Sequence, residues 1–104
     1  MGLIAQYVGI DLGTSNTMVY VKRKGLVLSE PTIVVVDSGN ERRVRAVGSD
    51  AKEMLGRTTE GVMAVRPLRE GVITDYDITK IMIKYFLRKA IGSNRLFAPR
   101  LFLS

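Results

Sequence analysis

The sequence has no cysteine and no histidine. Disulfides are excluded, as are thiol and imidazole metal sites, so any bound metal must be held by oxygen ligands. Zinc chemistry is thereby left without its usual donors. No stretch approaches the ~20 apolar residues of a membrane-spanning helix. The opening Met1-Gly-Leu-Ile-Ala-Gln6 lacks a basic region followed by a long apolar stretch, so a cytoplasmic chain is the expectation. There is no low-complexity run, no internal repeat, no Lys or Arg run longer than three, and no paired aromatics of the kind on which single-stranded nucleic acid stacks. Nucleic acid is therefore not an expected partner. The net charge of +6, from 16 Lys and Arg against 10 Asp and Glu, still favours anionic partners such as nucleotides or acidic lipid headgroups.

What is present is a globular pattern, with 46% hydrophobic residues in alternating runs. A chain of 104 residues is one domain or part of one, and buries roughly 60 to 70% of the surface it exposes when unfolded. The most informative stretch is Tyr7 to Lys22. Val8, Ile10 and Leu12 alternate with Tyr7, Gly9 and Asp11, and Met18 to Val21 is a second β-favouring run, so two strands flank Gly13-Thr-Ser-Asn-Thr17. A tight turn with a glycine, followed by small or polar residues whose amides and hydroxyls converge, suits a phosphate. Asp11 sits just before it, where a carboxylate would repel a bare phosphate but can orient a divalent cation through water, as Mg²⁺ sites do. The same residues also satisfy an ordinary hairpin, in which Gly13 and Asn16 supply turn geometry and Asp11 is a solvated strand end.

Further along, Lys22-Arg-Lys-Gly25 predicts a hairpin turn and Leu26 to Leu28 a third strand, interrupted or placed at an edge by Pro31 before Thr32 to Val36 resumes. Arg42 to Val47 alternates basic and apolar residues as a short strand with one wet face. Ser49 is a candidate N-cap for a short helix with Ala51, Met54 and Leu55 on its apolar face, stopped by Gly56. Gly61 to Val65 reads as a short strand and Arg66 to Gly71 as a loop. Thr74 or Asp75 to Asp77 caps the longest helix, about Ile78 to Ile91, ended by Gly92, with Lys80, Lys84 and Arg88 along one exposed edge. Arg100 to Ser104 predicts a final strand. Before it, Leu96 and Phe97 are two large apolar residues in a loop flanked by Arg95 and Arg100.

Ile10-Asp-Leu-Gly-Thr-Ser-Asn-Thr17 resembles the first phosphate motif of the superfamily that contains actin, sugar kinases and the seventy-kilodalton heat-shock chaperones. Three further stretches, Lys24 to Val36, Ala46 to Arg57 and Arg66 to Asp77, are similar, in this order, to the MreB/Mbl group of bacterial rod-shape proteins. The resemblance runs from about Tyr7 to the last residue.

It implies an α/β, ribonuclease-H-like core with a mixed sheet, incomplete in this chain, plus a small inserted lobe. Residues 1–36 would hold the first strands and phosphate loop, 37–69 the small lobe, and 70–104 the return to the core, long helix and final strand. It further implies ATP and Mg²⁺ as ligands, with Gly13, Thr14, Ser15 and Asn16 contacting phosphates, Thr17 bracing the turn among them, and Asp11 orienting the metal through water. Ser15 stands where family members usually have alanine, which leaves room for phosphate.

The family's second phosphate hairpin, adenosine pocket and water-positioning residue are not in this sequence. The resemblance therefore implies an amino-terminal segment of a longer protein. No catalytic residue is assigned, and ATPase activity is expected only in the full-length context. The implied protein is a filament-forming cytoskeletal element that directs cell shape and wall synthesis, lying against the inner face of the cell membrane. Its partners would be further copies of itself, anionic inner-leaflet lipid and morphogenesis membrane proteins, with Leu96 and Phe97 inserting into the membrane. Three alternatives stay open at this stage: Leu96 and Phe97 tucked into the core, another superfamily ATPase such as a sugar kinase or chaperone, and a stand-alone basic module for nucleic acid or membrane.

Overall fold

The computed structural model describes residues 7–39, 41, 43–57, 60–92 and 100–103. Strands β1 (Tyr7–Leu12), β2 (Asn16–Val21) and β3 (Gly25–Pro31) form an antiparallel meander. In the β1–β2 ladder Val8 faces Val21, Ile10 faces Val19 and Leu12 faces Thr17. Since side chains alternate along a strand, these six share one face of the sheet, while Asp11 and its partner Met18 lie on the other. The β2–β3 turn is made by three residues, Lys22 to Lys24, closed by a 2.9 Å bond from the Lys24 amide to the Val21 carbonyl.

At Thr32 and Ile33 the chain leaves this sheet. Strand β4 (Val34–Asp37) is the middle of a second sheet, between β5 (Val44–Val47) and β6 (Val62–Val65) and antiparallel to both. The β-branched run after Pro31 thus opens a new sheet. Helix α1 (Ser49–Arg57) links β5 and β6 in sequence and covers one face of this sheet: Ile33 and Val35 pack with Ala51, backed by Met54 and Leu55. Val34 and Val36 point the other way, into the main core. Alternation along β4 therefore joins the two packing layers. Gly56, expected to stop α1, lies within it.

Residues 68–73, expected as loop and a return to the core, form a two-stranded hairpin of β7 (Leu68–Arg69) and β8 (Val72–Ile73). Its two turn residues, Glu70 and Gly71, have φ of 51° and 79°. Positive φ at both positions is the turn whose twist matches a right-handed hairpin, normally made by Asn-Gly; glutamate in the first position hid it from a reading by composition.

Helix α2 (Tyr76–Ile91) is capped by Asp75, whose side chain accepts from the Ile78 amide at 3.0 Å, and is closed by Gly92 at φ 89°. Ile78, Met82 and Phe86, spaced by four, face the sheet and meet Val8, Ile10, Val19, Val21 and Leu28 in the main core. Each such buried side chain contributes about 1.5 to 3 kcal/mol. Ile81 is 44% exposed, and Lys80, Lys84 and Arg88 lie along an exposed edge, as their spacing predicts. After α2 the chain returns as β9 (Arg100–Leu103), which pairs parallel with β1. The main sheet has the order β3-β2-β1-β9 and is mixed, with α2 as the crossover.

Candidate functional site

The turn between β1 and β2 consists of Gly13, Thr14 and Ser15, since β2 already begins at Asn16. The Gly13 amide donates to the Asn16 carbonyl at 3.0 Å and closes the turn. A Cβ on Gly13 would stand 2.5 Å from that same carbonyl oxygen. Glycine is thus required by the turn's own backbone, where the sequence suggested an approaching phosphate. Thr14, Ser15 and Asn16 are exposed at the tip and offer hydroxyl, amide and backbone groups to solvent. Asp11 is exposed on the sheet face opposite α2.

Thr17 differs from its neighbours. It is fully buried, and its hydroxyl pairs with that of Thr32 at 2.8 Å. The Thr32 amide donates to the Ser15 carbonyl at 2.9 Å. Two bonds therefore tie the turn to the residue where the chain passes between sheets, so the turn stands at the junction of the two layers. Thr17, expected to brace the turn, has its hydroxyl committed inside the protein to Thr32. The tip of the β7–β8 hairpin also reaches this place, with the Gly71 amide 3.4 Å from the Thr14 hydroxyl.

The position of α1 beside the turn is set by a carboxylate that sequence reasoning missed. Glu30 near the end of β3 is buried, accepts from the Ser49 amide at 2.9 Å and pairs with Lys89 of α2 at 2.6 Å. Ser49, expected as the N-cap, is instead the first residue of α1, and its amide is satisfied by a carboxylate from a distant strand, favourable at a helix N-terminus. Gly48 makes room for it: at φ 64°, a Cβ there would collide with Glu30 and stand 2.9 Å from a Phe86 ring carbon. A second link joins the helices, from the Tyr85 hydroxyl to Asp50 at 2.9 Å. The hydrogen bond to Glu30 raises the Lys89 ammonium above its usual range, and burial with the Asp50 bond raises the Tyr85 hydroxyl. Nothing in residue order pairs Glu30 with Ser49 and Lys89, which lie 19 and 59 positions away (49−30 and 89−30).

Among the described residues no three carboxylates cluster to hold a metal. A lone exposed carboxylate at a strand end, beside polar turn groups, fits Mg²⁺ that keeps most of its waters and the phosphate oxygens as ligands. Leu96 and Phe97 lie outside the described residues.

The family model for MreB/Mbl proteins matches residues 5–104. The chain is 45% identical over 101 residues to a cell shape-determining protein Mbl of Bacillus cereus, covering 97% of this chain and 30% of that one. It is 44% identical over 101 residues to the cell shape-determining protein MreB of Escherichia coli K12, covering 94% and 29%. It thus spans about 30% of the length of these relatives. Two crystal structures of MreB5 from Spiroplasma citri share the fold. The one bound to AMPPNP has a TM-score of 0.77 at 25% identity, over 98% of this chain and 30% of that one. The one bound to ADP has 0.73 at 22%, over 96% and 38%. The mixed sheet with its packed helix and second small sheet is accordingly part of an actin-like α/β core, and a sugar kinase or chaperone origin is set aside. By the family match along nearly its whole length, the chain belongs to the MreB/Mbl family.

Proposed function

We propose that this chain supplies the first phosphate-binding element of an ATP-binding, filament-forming protein that determines cell shape. The observation that carries this reading is the exposed tip Thr14-Ser15-Asn16, held rigid from behind by the buried Thr17–Thr32 pair and flanked by Asp11. A turn fixed in this way presents donors without having to order them on binding, which lowers the cost of gripping an anion. The names of the relatives support the cell-shape role, and the MreB5 structures bound to AMPPNP and ADP support a nucleotide as the ligand.

In this reading Thr14, Ser15 and Asn16 bind phosphate oxygens, and Gly13 keeps the turn narrow. Asp11 orients the hydrated metal. Mg²⁺ would supply charge neutralisation between phosphate groups. The remainder of the nucleotide grip would come from parts of the protein that correspond to the rest of its relatives' length. Filaments would lie at the inner face of the membrane, where Leu96 and Phe97 would insert with Arg95 and Arg100 against anionic headgroups.

Polymerisation tests this. The protein at the full length of its relatives, incubated with Mg²⁺ and ATP, is expected to pellet as filaments visible by electron microscopy, and Asp11→Ala is expected to remain in the supernatant. Equal pelleting of wild type and variant, with and without ATP, would refute a nucleotide-dependent filament.

A further inference from the structure

A cleft of about 270 Å³ opens beside the phosphate turn. Ser15 and Asn16 of the turn, Lys52 of α1 and Arg66 after β6 line it, with Pro31, Ile33 and Leu55 supplying apolar surface. We propose that Lys52 and Arg66, which share this cleft with Ser15 and Asn16, bind the phosphate tail of the nucleotide together with the turn. The proposal rests on the reading of the turn as a nucleotide-phosphate element and names the residues that complete its charge.

Three observations support it. The first is size. Pockets for whole drug-sized ligands run from about 300 to 1,000 Å³, so a space just below that range suits a piece of a ligand, and its lining decides which piece. With two cations in a lining that also holds hydroxyl and amide groups, that piece is anionic.

The second is that no ion pair engages Lys52 or Arg66 among the described residues, whereas Arg43, Arg45, Arg57 and Lys89 each pair with a carboxylate. A slightly larger hollow of about 290 Å³, lined by Asp50, Glu53, Arg45, Arg57 and Tyr85, makes the contrast. Its arginines are already bound to Asp37 and Glu53, and it carries acidic groups of its own. It offers an anion no net attraction.

The third is that both cations stand on anchored backbone. Lys52 is in the first turns of α1, its amide donating to the Gly48 carbonyl at 3.1 Å, directly after the Ser49 amide held by Glu30. Arg66 lies between β6 and the buried Pro67, whose carbonyl accepts from both the amide and the hydroxyl of Thr74, at 2.7 and 3.1 Å.

The test is equilibrium binding of MgATP, inorganic tripolyphosphate and adenosine to the full-length protein, comparing wild type with Lys52→Gln, Arg66→Gln and Arg66→Lys. Lys80→Gln on the exposed edge of α2 serves as a control for simple loss of charge. Removing one charge-assisted contact is expected to weaken MgATP and tripolyphosphate by about tenfold in each glutamine variant, with Lys80→Gln within about twofold of wild type. Adenosine affinity should not change. Arg66→Lys, which keeps the charge, should stay nearer to wild type than Arg66→Gln, and circular dichroism should be the same throughout because both side chains are exposed. If wild type binds MgATP and the two glutamine variants lose no more than Lys80→Gln, the role of Lys52 and Arg66 is refuted while the phosphate turn stands. If wild type binds neither MgATP nor tripolyphosphate, the turn reading fails and this inference falls with it.

Discussion

Replacing Glu30 by alanine should loosen α1 selectively. The carboxylate has two partners: the Ser49 amide at 2.9 Å and the Lys89 ammonium at 2.6 Å. A hydrogen bond to a charged group contributes about 1.5 to 3 kcal/mol, and its loss leaves an N-terminal helix amide with no acceptor. The ion pair adds less. Lys89 keeps 45% of its side chain exposed, so solvent screens it and about 1 kcal/mol is a reasonable ceiling. Together the loss is about 2 to 4 kcal/mol.

Because Ser49 opens α1, most of this should appear as local opening of that helix. Amide hydrogen exchange in the full-length protein should show α1 exchanging roughly 30 to 1,000 times faster. Protection in α2, anchored through Phe86 and Met82, should change much less. Glu30→Gln retains an acceptor for Ser49 and should fall between wild type and alanine. Unchanged α1 protection in Glu30→Ala, or an equal loss across α1 and α2, would refute the assignment of Glu30 as the tie that holds this helix.

Gly48→Ala forces a side chain into a left-handed backbone and against Glu30 and Phe86, and should cost about 2 to 5 kcal/mol, read as a lowered urea midpoint. Thr17→Val leaves the buried Thr32 hydroxyl without its partner and should cost about 1 to 3 kcal/mol in the same measurement. Lys89 and Tyr85 are both raised in the folded state, from ordinary values of 10.5 and 10.0. A folded pKa above the unfolded one gives stability that is present below the unfolded value and is lost as pH rises through the folded one. The melting temperature should therefore begin to drop above about pH 10, and the drop should shrink in Lys89→Met with Tyr85→Phe.

The legible parts of the fold were those with local signals. The alternation of Val8, Ile10 and Leu12, the capping Asp75 and the closing Gly92 act within a few residues, and the structure places their elements where those signals put them. The β7–β8 hairpin was missed because glutamate takes a position usually filled by asparagine. The second sheet begins at Val34, just after Thr32, whose hydroxyl is held by that of Thr17, fifteen residues away. Glu30, Lys52 and Arg66 carried no local signal either. Each takes its place from contacts between elements far apart in sequence, so only the packed chain brings them to the turn. Gly13 was legible as a turn glycine, and the close approach it permits within the chain is to the Asn16 carbonyl.

The central claim is that the turn after β1 binds a nucleotide's phosphates with a metal oriented by Asp11. Isothermal titration of the full-length protein with ATP, with and without Mg²⁺, measures this most directly when wild type is compared with Asp11→Ala. Asp11 is exposed, so its loss should leave the melting temperature of the ligand-free protein unaltered. The account predicts that wild type binds more tightly with Mg²⁺ than without, and that Asp11→Ala loses most of this metal dependence. An ATP affinity that is the same in wild type and Asp11→Ala, with and without Mg²⁺, would contradict it.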